Sequence, residues 1–556
     1  MRRRSLTVVA ATLLALAMAP PALAADARVT VDDTAGSYVR YDGGSDETLE
    51  RCSEGQRQQN EPSVAVNPAN PDVVVAGSND YCAAIVNNEV WTGYYRSEDG
   101  GDTWTNSLVP GYPGDGSEAG LDSPVHGTCG AAGDPTQTFD ADGNLYYGFI
   151  CFNRAKPING GVYVAKYTDD GATYDRTTLV KPGTPSGLFT AGAFQDKINL
   201  TVDQTDGEHG GNVYVAWSQY HFASRNNGVL FSRSTDGGVS FSKDIRVTPI
   251  AHGTASFTDL AVGPDGTVWL TYITYASASR PTTDIWLLSS TDGGVSFGAP
   301  EHVASISRFD SDLFTGGTGG VDCGDGPFVC PSGFIFSRFF SNSAVAADED
   351  GAHVVWAGRL DDGQSKVWSR TFADGDWTGE AVTIDDVPMG HQWMPDIASA
   401  DGTITVVFYD SRADTAYAAD RPPGNTATGN NSGNVVHTWM ATSTDGGVSW
   451  DETKITSTGS NFGWMTHGSR RVGFWGDYIY VSAVPGAVNA VWTDSRDLRP
   501  GPDTRAGANP KGFSVFQSNC DYEPNDINAP AYTSPTIDDE CLDEGGLDQN
   551  IYGARL

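Results

Sequence analysis

Short apolar runs rich in Val, Tyr, Trp and Phe recur along the chain. They read VVVAGSND from Val73, LYYGFICFN from Leu145, VYVAWSQY from Val213, VWLTYITY from Val268, HVVWAGR from His353, ITVVFYDSR from Ile404 and VNAVWTDSR from Val488. Each is preceded by a weaker alternating run, and most of these open on an acid: Glu61, Asp134, Asp196, Asp259, Asp396 and Asp477, with Asn342 in the remaining unit. No long stretch keeps a 3.6-residue period, so the pattern predicts strands throughout and an all-β chain. A third run follows in each unit, and four units then carry one phrase: RSEDGGDTWT at 96–105, RSTDGGVSFS at 233–242, SSTDGGVSFG at 289–298 and TSTDGGVSWD at 442–451. Asp-Gly favours a tight hairpin because glycine tolerates positive φ.

Seven such four-stranded units predict a β-propeller of seven blades, with a six-bladed ring carrying one decorated unit as the alternative. The hairpin phrase is degenerate in the second unit, nearly lost in the fifth and absent in the seventh, which also lacks a strand. The run RVTVDD at 28–33 is expected to complete that unit and close the ring, removing exposed edges. Antiparallel order puts the start of every first strand and the end of every second strand on one face, and the Asp-Gly-Gly hairpins on the other. The repeated phrase is therefore read as structural, and the chemistry is sought on the opposite face.

That face collects the strand-opening acids nearest the axis. Carboxylates crowded around a channel raise one another's pKa and leave a protonated acid beside an ionised one, as glycoside hydrolysis requires. Asp134, Asp196, Asp396 and Asp477 are the acid/base candidates. Arg412 and Arg496, each two residues after an aspartate (Asp410, Asp494), could grip a substrate carboxylate or simply pair with that neighbour along a strand. His391 and His467 precede first strands and are auxiliaries, and Trp393, Trp464 and Trp475 could stack on sugar rings. The same acids could instead hold Ca²⁺ through oxygen ligands, although no cofactor is required; no zinc-type His/Cys spacing occurs.

Residues 1–24 read as an export leader, with Arg2 to Arg4, an apolar core and Ala22-Leu23-Ala24. A net charge of −36 argues against nucleic acid or an anionic membrane as partner. The eight cysteines suit an oxidising compartment, with Cys129–Cys151, Cys323–Cys330 and Cys520–Cys541 as local pairings. The chain then divides into the leader, a segment 25–60 that helps to close the ring, a propeller over 61–518, and an acidic tail over 519–556 that could brace the last blade.

The Ser-x-Asp-x-Gly-x-x-aromatic phrases at Ser97–Trp104, Ser234–Phe241, Ser290–Phe297 and Ser443–Trp450 resemble the Asp-box, or bacterial neuraminidase repeat, of the sialidase superfamily. The resemblance implies a propeller with these hairpins on its periphery. It also implies a secreted glycoside hydrolase that acts on extracellular glycans as a monomer. Sialidases carry a Phe-Arg-Ile-Pro motif where this chain reads Glu-Pro-Ser-Val-Ala-Val from Glu61. Two other readings stay open: a non-catalytic propeller that binds glycan or protein at the same face, and a polysaccharide lyase using histidine as the base.

Overall fold

The computed structural model describes residues 26–87, 89–154, 159–185, 192–221, 227–275, 282–306, 342–419, 435–460, 475–497 and 549–556, with a few short pieces between 321 and 430. Seven antiparallel sheets of four or five strands carry the chain. Their first strands are Gln59–Val66, Ala131–Phe139, Ala193–Val202, Ala255–Val262, Ser343–Asp348, Gln392–Ala400 and Tyr480–Val484. These seven pack on one another in chain order, and the last returns onto the first, which closes a ring. The fold is a seven-bladed β-propeller, as the strand pattern predicts. Buried apolar side chains such as Trp91, Trp217, Trp356 and Trp492 fill the spaces between blades rather than one central core.

Both termini build the seventh blade. Its third strand is Asn550–Arg555, paired with Ala487–Asp494, and its fourth is Ala27–Arg28, paired with Asn550–Arg555 in turn. The end of the acidic tail is thus part of the propeller, and the N-terminal strand is two residues long rather than six. Residues further along that run turn away: Asp32 accepts hydrogen bonds from the Arg57 N–H and the Gln59 amide, which pins the segment against blade one. A disulfide joins Cys52, at the end of the helix Glu47–Cys52, to Cys82 beyond the second strand of that blade. Cys129–Cys151 forms as the spacing suggests, while the other two local pairs fall outside the described residues.

The four Ser-x-Asp-x-Gly hairpins lie in blades one, three, four and six. In each, the aspartate accepts the serine hydroxyl and the backbone N–H and hydroxyl of a Thr or Ser four residues on; for Asp236 these are 2.7, 2.9 and 2.5 Å. Each turn also presents a glycine carbonyl to the preceding blade. Gly100 O meets the Asn489 amide at 2.8 Å, Gly237 O meets Arg176 at 3.0 Å, Gly293 O meets Arg233 at 2.7 Å and Gly446 O meets the Thr371 hydroxyl at 3.0 Å. The repeated phrase is therefore a clip between neighbouring blades, and antiparallel connectivity sets it on the face opposite the strand-opening acids.

Candidate functional site at the axial rim

Five of the seven inner strands carry a β-bulge at the same place. The register breaks between Asn60 and Ser63, Gly133 and Thr136, Asp196 and Asn199, Ser256 and Asp259, and Trp393 and Asp396. The second residue of each bulge takes positive φ although none is glycine: Glu61, Asp134, Lys197, Phe257 and Met394 all lie between 49° and 54°. Left-handed non-glycine residues cost energy and collect where side chains must be aimed. Pro62, Pro135 and Pro395 occupy the next position, where the bulge has already removed the ladder partner of the missing N–H. Because the acids stand at different positions relative to this common bulge, those that look equivalent in sequence are not equivalent in space. Glu61 and Asp134 hold the second position, Asp196 the first, and Asp259 and Asp396 the fourth.

The structure consequently sorts the acid candidates into two layers. The upper layer gathers Glu61, Asp134, Asp196 and Asp477 around Lys197. The Lys197 ammonium lies 2.5 Å from Asp477, 3.2 Å from Asp134 and 4.0 Å from Glu61. Asn79 bridges the same group, donating to Glu61 at 2.7 Å and accepting the Asp134 N–H at 2.9 Å. Asp477 reaches the cluster because Gly476 lies against Glu61: a Cβ there would fall 2.2 Å from Glu61 Cγ, and its φ of +88° suits only glycine.

Electrostatics divide these acids by role. Burial pushes Asp196 up to about 7, and repulsion from Asp134 outweighs part of the relief given by Lys197. Burial likewise raises Glu61 well above the carboxylate range. Burial alone would raise Asp134 too, but the Lys197 charge and hydrogen bonds from Glu61, Lys197 and Asp196 hold it below its ordinary value. The rim thus sets an Asp134 held towards ionisation beside two acids, Glu61 and Asp196, that are pushed towards their protonated forms. Lys197 itself is raised because four carboxylates outweigh its own burial. Tyr220 and Tyr478 line the same ground, both raised by burial and by these carboxylates.

The lower layer holds Asp259 and Asp396, both raised, Asp259 to about 7 by burial and Asp396 by burial and then by repulsion from Asp259. Each latches two blades: Asp259 accepts the Val345 N–H and Asp396 the Val481 N–H, both at 2.7 Å. Asp396 therefore does not join Asp134, Asp196 and Asp477.

The remaining candidates lie elsewhere. Arg412 stacks on Trp439 at 3.8 Å and is held by Asp410, Asp385 and Glu452, towards the periphery of blade six. Arg496 repeats the pattern in blade seven, 4.0 Å over Tyr552 and paired with Asp494 and Asp26 at 2.7 Å each. The Asp-Ser-Arg spacing does pair each arginine with its neighbouring aspartate, but in the turn beyond the strand end rather than along the strand: each aspartate also accepts the arginine's backbone N–H, and an aromatic of the third strand is the floor. His391 is fully buried, its Nδ1 accepting the Ser365 N–H at 3.2 Å, and Trp393 and Trp475 are core residues. His467 and Trp464 lie outside the described residues. Sequence reading passed over Lys197, a cation directly after Asp196 on an inner strand whose counterparts in blades one and two carry acids at that position. Among the described residues no group of three or more His, Cys, Asp or Glu is arranged to hold a metal.

No family model matches the sequence, and no curated protein matches it. Several solved structures are similar. An alpha-L-arabinanase of Penicillium chrysogenum is 13% identical over 70% of this chain and 94% of its own, with a TM-score of 0.41. A Hadza microbial sialidase is 12% identical over 73% and 70%, at 0.40. A protein of unknown function from Dyadobacter fermentans is 15% identical over 64% and 91%, at 0.38. At such distances none of them speaks to the chemistry of this chain.

Proposed function

We propose that the axial rim is the active site of a glycoside hydrolase that acts on extracellular glycans. One observation carries the reading: Asp134, held ionised, lies beside Asp196, which keeps its proton to about pH 7. In this mechanism the substrate enters between Asp134 and Asp196, breaking the hydrogen bond they share and parting them to the roughly 6.5–9.5 Å that an acid and a water-activating base require, and Asp196 donates its proton to the glycosidic oxygen as the C–O bond breaks. Asp134 faces the developing positive charge at the anomeric carbon and takes the proton from the attacking water. Lys197 keeps Asp134 charged and so maintains the difference between the two carboxyls. Arg412 and Arg496 are committed to their own blades, so the proposal assigns them no hold on a sugar carboxylate and does not single out sialic acid. The basic-apolar leader at 1–24 and the two disulfides support export.

The experiment is a panel of fluorogenic glycosides, with acidic and neutral sugars, applied to the full mature chain and to Asp196→Asn and Asp134→Asn. Cleavage of at least one substrate, lost in both variants while the melting temperature holds, supports the proposal. A second reading has its own observation: the Lys197 cluster joins blades one, two, three and seven through ion pairs, which a purely structural brace would also do. A folded protein that cleaves nothing, and that loses stability on each substitution, favours that non-catalytic propeller.

A further inference from the structure

Below the Lys197 cluster the axis narrows to a cavity of about 50 Å³. Its shape follows from one small residue. The latching position of the inner strands holds Asp259 on blade four and Asp396 on blade six, and between them, on blade five, Ala344. Alanine fills none of the space between its neighbours, so two carboxylates border the same gap. Neither forms an ion pair with a lysine, arginine or histidine among the described residues. The nearest cation, Lys197, also borders the cavity, but its ammonium is drawn towards Asp477 and Asp134 in the upper layer.

A second, independent feature concerns neutral oxygens. Asn342 and Ser343 line the same cavity and are 8% and 4% exposed. The Asn342 amide nitrogen donates to the Asp477 carbonyl at 2.6 Å, yet among the described residues its Oδ1 meets no donor and the Ser343 hydroxyl has no partner. Two buried oxygens without donors among the described residues, on residues that line one cavity with two carboxylates, offer the hard ligand set that oxygen-seeking cations prefer. The space exceeds what one water requires, about 10–15 Å³, so an ion and accompanying water fit.

We propose that this cavity binds a divalent cation of calcium's size, with Asp259 and Asp396 as the charged ligands and Asn342 Oδ1 and the Ser343 hydroxyl as neutral ones. Two carboxylates match a divalent charge, and water completes the six to eight oxygens, roughly, that calcium takes. The ion would tie blades four, five and six at the axis. Its role is independent of whether the rim above is catalytic.

The test uses the full mature chain, stripped with chelator and dialysed. Bound metal is measured by elemental analysis and titration calorimetry, and thermal melts are run in CaCl₂, MgCl₂, NaCl and KCl at matched ionic strength. The expected result is one calcium per chain and a melting temperature several degrees higher in calcium, with a weaker response to magnesium and none to the monovalent salts. Asp259→Asn and Asp396→Asn retain an oxygen for the next blade's N–H but remove charge, and both should lose the calcium response. Ala344→Leu leaves both carboxylates in place and fills the gap; it should lose the response too, and it decides the matter if the asparagine variants do not fold. No calcium uptake by the parent chain at millimolar concentration overturns the proposal. So does a calcium response that survives Ala344→Leu, or an equal response to NaCl or KCl.

Discussion

Asp196 and Asp236 belong to the same blade and lie on its two faces, and the protein treats them in opposite ways. Asp236 stands in water at the tip of a hairpin. Hydrogen bonds from the Ser240 and Ser234 hydroxyls and from backbone N–H groups pull it down to about 2, and Asp445 in blade six is drawn to about 2 by the equivalent partners. Asp196 is buried among other carboxylates and rises to about 7. The hairpin aspartate is supplied with donors and solvent, so its charge is comfortable and its work is to hold a turn. The rim aspartate is short of both, so it holds its proton far more tightly than an ordinary carboxyl and titrates near neutrality. Local donor supply, rather than residue type or repetition, separates a carboxylate held ionised from one that titrates near neutrality.

The sharpest way to break the contrast is at the rim. Asp134→Asn and Asp196→Asn should each lower turnover on a cleavable glycoside by about 10²–10⁴-fold, whereas Asp236→Asn should leave it within experimental error. Steady-state kinetics on the three variants check this, and an equal loss in all three would erase the distinction.

Next in size is Lys197→Met. It removes the cation from a group of buried acids and should cost about 3–5 kcal/mol, as breaking a buried ion pair does. Denaturant unfolding would measure it, and a neutral result would mean that the acids are solvated or already protonated.

The two faces should also fail at opposite ends of the pH scale. Asp196 binds its proton more tightly when folded. Its contribution is complete below the ordinary carboxylate range and is lost as pH rises towards about 7. Asp236 is depressed, so its contribution is present above that range and lost as pH falls towards about 2. Melting temperatures from acid to neutral pH should show Asp196→Asn flattening the decline on the neutral side and Asp236→Asn flattening the one on the acid side. The smallest effect belongs to a single clip. Ser234→Ala removes one buried hydroxyl, which bonds Asp236 and the Gly238 N–H at the base of the turn, and should lower the melting temperature by about 1–2 °C, with no change in the neutral limb.

Much of the architecture was legible along the chain because it is written in local chemistry. Asp-Gly turns, alternating runs and their order are properties of neighbouring residues, and they yielded seven blades and a structural role for the repeated phrase. The site was legible only in outline. Asp134, Asp196 and Asp477 do meet, but Asp396 does not, since it stands at the fourth position of its bulge, level with Thr136 and Asn199, and latches the next blade instead. Arg412 and Arg496 stood out by their spacing, and that same spacing ties them to Asp410 and Asp494. Lys197 was overlooked because a lysine beside an aspartate in a strand is unremarkable until the ring brings Glu61 and Asp477 to it.

By itself, then, the sequence determined the kind of fold, the number of blades and the face on which acids collect, all of which follow from short-range pattern. Only the tertiary structure decided which acids share a proton, that one lysine sits among them, and that residues 27–28 and 550–555 close the ring together. Those outcomes depend on contacts between blades far apart in the chain. They also depend on burial, which sets the protonation of a carboxylate and has no signature in the residues on either side of it.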